Sequence, residues 1–163
     1  MKQNLNYSGF IFFFIILFMT SCNKEKTTYL EYSHISEDGW KRSTELFFHP
    51  EISDNNAIYN LKIELRHTND YPYQNIWFFT SISHKDSILL TDTLEYSLSN
   101  DFGKWHGRGY NALYQQTLLY KKDYLFPDTG KYTIRIQQAM RDNPLLGIED
   151  VGFRIEKANP NGD

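Results

Sequence analysis

The sequence predicts an all-β fold, an antiparallel two-sheet β-sandwich of the jelly-roll or immunoglobulin-like kind with about eight strands. Three observations carry this. Apolar residues recur with period two from Tyr29 to Lys157, and the breaks fall at Gly, Pro, Asn and Asp. No stretch long enough for a helix keeps a period of about 3.6. The 163 residues hold 17 Lys plus Arg against 20 Asp plus Glu, five His and one Cys. One Cys leaves no internal disulfide framework and no multi-thiolate zinc site. A net charge of −3 gives no basic excess for a phosphate backbone, so nucleic acid is not an expected partner. The aromatic share of 17% is high, and it draws attention to where the rings fall.

In chain order, residues 1–21 read as a lipoprotein signal peptide. Lys2 is the only charge before position 24, and it precedes the apolar run from Phe10 to Phe18. With Met19 that run reaches about 15 Å as a helix, half of a hydrocarbon core of about 30 Å, so it is too short to span a bilayer. Thr20 and Ser21 before Cys22 resemble a bacterial lipobox, with Met19 where Leu is commonest. In a lipobox the thiol is diacylated and the signal is cut before it. Cys22 is therefore the expected lipidation site, and its acyl chains (palmitate-type) are the expected link to a membrane, two chains anchoring where one binds only marginally. Residues 22–28 read as a polar tether.

The domain proper is expected over residues 29–157. The clearest strand is Ala57 to Arg66, with Tyr59, Leu61, Ile63 and Leu65 facing inward and Asn60, Lys62, Glu64 and Arg66 outward. Lys131 to Met140 repeats the design with Tyr132, Ile134 and Ile136 inward. Asn75 to Ser83 is apolar on both faces near its start, which predicts a central strand covered on each side and Trp77 in the core. Weaker strands are expected at Thr28 to Ser33, Ser43 to Phe48, Thr93 to Ser97, Leu113 to Tyr120 and Gly147 to Ile155, with Gly107 to Gly109 as a turn. Residues 158–163 read as a disordered tail.

Three stretches carry more residue-specific detail than a sheet requires: Leu65-Arg-His-Thr-Asn-Asp-Tyr-Pro-Tyr-Gln-Asn-Ile-Trp77, Asp101-Phe-Gly-Lys-Trp-His-Gly-Arg-Gly109 and Met140-Arg-Asp-Asn-Pro-Leu-Leu-Gly-Ile-Glu-Asp-Val-Gly-Phe-Arg-Ile-Glu156. With the lipobox, and in this order, these blocks resemble the GldH family of gliding-motility lipoproteins of Bacteroidota. The resemblance implies a part in gliding and in the linked type IX secretion machinery, an outer-membrane location and no enzymatic activity or cofactor. A lone Glu25 between Lys24 and Lys26 is a poor match to the acidic signal that exports some such lipoproteins to the cell surface, so the periplasmic and surface sides both stay open.

The residues themselves offer no catalytic centre. The five His show no metal-ligand spacing, and no nucleophile elbow, Walker loop or dinucleotide fingerprint is present. Adjacent carboxylates such as Glu149 and Asp150 point to opposite faces of a strand and do not converge. What remains is a surface for binding. Aromatic residues with Arg are the usual interface anchors, so Arg66, Tyr71, Tyr73, Trp105, Arg108 and Arg141 form the candidate interaction surface, with other gliding or secretion proteins as the expected partners. Trp105, between glycines in a loop, is expected to be more exposed than Trp77. An envelope glycan stacked on Trp105 is the alternative reading.

Overall fold

A computed structural model describes residues 27–158. The signal peptide, Cys22 and residues 159–163 lie outside the described residues. Ten strands form two antiparallel sheets. The first contains β1 (Thr27–His34), β4 (Tyr59–Thr68), β7 (Arg108–Tyr110), β8 (Leu113–Tyr124) and β10 (Ile148–Lys157) in the order β1-β10-β4-β8-β7. The second contains β2 (Leu46–Phe48), β3 (Glu51–Ile52), β5 (Asn75–His84), β6 (Ser87–Ser97) and β9 (Gly130–Gln138) in the order β2-β9-β5-β6, with β3 also on β9.

Alternation places the core as the sequence predicts: Leu61, Ile63 and Leu65 of β4 meet Val151, Phe153 and Ile155 of β10, all fully buried. Ile76, Phe78, Ile82, Ile134 and Ile136 face them from the second sheet. Rings join the layers, with Phe48 and Phe153 6.1 Å apart, and Trp40, in the segment before β2, packs 6.0 Å from Phe78.

Four expectations are corrected. The sandwich has ten strands, because β3 and β7 hold only two and three residues, too few to display a period. Pro50 interrupts what is otherwise one edge: β2 and β3 both pair with β9 on either side of it, and the Pro50 carbonyl accepts from Tyr132 N–H at 2.9 Å. Arg108 and Gly109 lie in β7, paired with Gln115 and Tyr114, and are not a turn. Trp77 and Phe79 point away from the core and are 36% and 43% exposed, so β5 is central within its sheet but covered on one face only. Glu64, expected outward in solvent, is outward yet fully buried. In addition β1 starts at Thr27, two residues inside the span read as tether.

The sandwich has two poles. Thr27, Tyr59, Tyr124 and Lys157 mark one; His34, Thr68, Leu113 and Ile148 mark the other. A ten-residue strand such as β4 separates them by about 33 Å.

Candidate interaction surface

The three sequence blocks converge on the second pole. Block one turns from β4 into β5 over residues 69–74. Thr68 N–H donates to the Gly147 carbonyl at 2.8 Å, and Tyr71, only 2% exposed, donates its hydroxyl to the Asn75 carbonyl at 2.7 Å. Burial pushes the Tyr71 hydroxyl pKa up. Gly147, at φ +77°, explains the close approach: a Cβ there would stand 2.2 Å from the Tyr71 nitrogen.

Block two is a finger. The Asn100 side-chain oxygen accepts from Phe102 N–H and Lys104 N–H, each at 3.0 Å, and His106 N–H donates to the Leu98 carbonyl at 2.8 Å. This cage holds Phe102 at the tip, where it is 95% exposed. At the base, Trp105 donates its indole N–H to Asn69 at 3.0 Å and sets its ring 4.6 Å from buried His67, with Tyr71 and Tyr114 closing round. Trp105 is thus half-buried and committed, and Trp77 is the more exposed of the two, the reverse of expectation.

Block three is held from two sides. Buried Gln138 donates to the Asp142 carbonyl at 3.0 Å and accepts from Met140 N–H at 2.8 Å, while Trp40 and Leu145 exchange backbone hydrogen bonds at 2.8 and 3.0 Å. The Arg42 guanidinium donates to the Met140 carbonyl at 3.1 Å. The loop includes a cis peptide at Asn143–Pro144. The Asp142 carboxylate lies beside Tyr73 and raises the pKa of its hydroxyl. Tyr73 and Arg141 then line, with Asn75, Trp77, Ala139 and Met140, an open pocket of about 500 Å³.

The six sequence candidates therefore fall into three places. Tyr73 and Arg141 share the Trp77 pocket. Tyr71 and Trp105 belong to the aromatic cluster beneath the loops and shape the surface from below. Arg66 and Arg108 stand on the outer face of the first sheet. There Arg66 stacks 4.2 Å over the Tyr32 ring and reaches Gln115 at 3.2 Å and Asp150 at 3.5 Å. Arg108 borders a groove of about 760 Å³ with His106, Gln115, Thr117 and Arg154.

This face is organised by Glu64. Its carboxylate is covered by Arg154 at 2.6 Å and Thr117 at 2.9 Å, with Gln115 at 3.4 Å. A buried charge needs such partners, because desolvation alone costs several kcal/mol. Gln138 and Arg42 were not singled out in the sequence, and Glu64 was placed outward without a sign that it is buried; Phe102, an apolar residue in a Gly-flanked polar segment, stood in the second block without being named as an anchor. Among the described residues no group of three His, Cys, Asp or Glu is placed to hold a metal ion.

Fold and site define a β-sandwich whose distinctive residues lie in loops packed together at one pole. The chain belongs to the GldH lipoprotein family, whose model matches residues 27–155. It is 39% identical over 160 residues to a gliding motility lipoprotein GldH homolog of Christiangramia forsetii, covering 94% of this chain and 97% of that protein. It is 34% identical over 162 residues to gliding motility lipoprotein GldH of Flavobacterium johnsoniae, covering 95% and 99%. Membership places it among lipid-anchored, membrane-associated proteins of gliding motility. A solved GH115 4-O-methyl-α-glucuronidase overlays with a TM-score of 0.43 at 10% identity, over 83% of this chain and 18% of that chain, which argues for neither shared fold nor shared substrate.

Proposed function

We propose that the protein is a non-enzymatic subunit of the gliding-motility machinery, linked to type IX secretion, that works as a protein-interaction domain tethered to the outer membrane through acyl chains on Cys22. Tethering confines the domain to one membrane plane and raises its effective concentration for partners in that plane. The observation that carries the reading is the convergence of three distant segments on the pole away from Thr27, where they present Phe102, Leu146, Trp77 and Arg141 to solvent. Rigid, exposed aromatic residues beside Arg are the composition of interface anchors. The glycan alternative moves from Trp105, whose ring is occupied, to the Trp77 pocket.

The test pairs Cys22→Ala with Phe102→Asp. The first is expected to abolish detergent-phase partitioning and gliding together; the second leaves partitioning intact and removes co-purifying protein. Intact gliding with a soluble Cys22→Ala protein contradicts the tethering reading.

A further inference from the structure

We propose that the pole carrying Thr27 is a lipid-contacting surface: the domain stands upright on the bilayer with Ile58 and Leu125 against the lipid interface. The proposal rests on acylation of Cys22 and goes beyond it by assigning the part of the folded domain that meets the membrane.

Reach comes first. Thr27, the first residue of β1, follows Cys22 by five residues, so the chain between them spans at most about 17 Å. The sandwich is about 33 Å from pole to pole along β4. An acylated Cys22 therefore holds the Thr27 pole near the headgroups, and an upright domain puts the loop pole out of reach of the bilayer.

Surface chemistry comes second. The register Tyr59↔Tyr124 sets Ile58 opposite Leu125, and they are 43% and 56% exposed. From the second sheet, the β5–β6 hairpin brings Ile88, 70% exposed, to the same end. These apolar side chains are held on firm backbone. Ala158 N–H donates to the Ile58 carbonyl at 2.8 Å, the Tyr59 hydroxyl donates to the Asp54 carbonyl at 2.7 Å, and Asp123 N–H donates to the Asn60 side chain at 3.1 Å. Tyr124 packs edge-on to Phe126 at 4.9 Å just beneath Leu125.

The rim suits a headgroup layer. Lys85, Lys122 and Lys157 lie at this pole together with the exposed acids Asp86 and Asp123, and long Lys side chains keep their ammonium groups in water while their stems lie on apolar surface. Two acids of this pole are already engaged, Asp54 by Lys157 at 2.9 Å and Asp128 by Lys85 at 3.3 Å. A few apolar residues within a rim of mixed, largely paired charge match a shallow interfacial contact, about 5–10 Å deep.

The test uses the full-length lipoprotein in vesicles of phosphatidylethanolamine and phosphatidylglycerol with brominated acyl chains. Leu125→Cys, Ile58→Cys and Phe102→Cys proteins each carry one thiol-linked environment-sensitive fluorophore, because an acylated Cys22 takes no label. Roughly twofold quenching with a blue shift is expected at positions 125 and 58, and none at 102. Equal solvent exposure at all three positions in protein that floats with the vesicles overturns the proposal, as does quenching at 102 alone. Protein that does not float and takes label at Cys22 overturns the acylation reading itself, and with it this one.

Discussion

Glu64 is a charge buried on the outside of a sheet, and its cost is met by Arg154 and Thr117. Removing one member of a buried pair leaves the other uncompensated. Arg154→Ala is therefore expected to destabilise the domain by about 3 kcal/mol, read as a lowered urea midpoint, whereas a double Glu64→Leu, Arg154→Leu protein loses much less. Equal losses in both contradict the assignment. Period two told which way Glu64 points, but not that Arg154, Thr117 and Gln115 come from two other strands to cover it; burial on an outer face is decided by long-range neighbours. His67 makes a second case. Its Nδ1–H donates to the Thr68 carbonyl at 3.1 Å, and its other nitrogen has no partner among the described residues, where Tyr71, Trp105 and Tyr114 surround it. Burial lowers its pKa from 6.5. The unfolded chain then takes the proton first, so stability is full above about pH 6.5 and is lost as pH falls toward the folded pKa, at a slope of at most about 1.4 kcal/mol per pH unit. Urea midpoints between pH 7.5 and 5 are expected to fall less steeply in His67→Gln; an unchanged slope would show that His67 does not carry this dependence.

Among the elements, the long strands were legible because each buries one face for ten residues or so, while β3 and β7 escaped because two or three residues cannot show a period. β5 misled for a different reason: Trp77 and Phe79 are apolar like core residues, yet the layer that would cover them is absent from this chain's described residues. Apolar side chains kept in solvent on a rigid strand point to a binding face. The loop elements depend on close backbone contact. Gly147→Ala would drive a Cβ into Tyr71 at a positive φ, and it is expected to cost on the order of 3 kcal/mol by thermal melting and to loosen the Trp77 pocket along with the first block. Phe102→Ala touches nothing that holds the finger together, so its stability should stay within about 0.5 kcal/mol of the parent. A large loss there would mean that the finger is structural and not displayed for a partner.

For the whole molecule, the blocks that resembled GldH lipoproteins meet at one pole: segments 36 and 79 positions apart join where Asn69 bonds Trp105 and Thr68 bonds Gly147. The sequence could name the segments and the family, but their meeting place is a property of the strand order. Binding of protein by this pole, held away from the membrane by a lipidated Cys22, is the proposal on which the function rests. It is tested most directly by a photo-crosslinking amino acid at position 102 in the full-length protein in its own membranes, with Cys22→Ala as control and adducts read by mass spectrometry. A protein adduct drawn from the motility or secretion subunits is expected, and it disappears when Cys22 is replaced. Absence of any protein adduct at position 102, or the same adduct with and without Cys22, would contradict it.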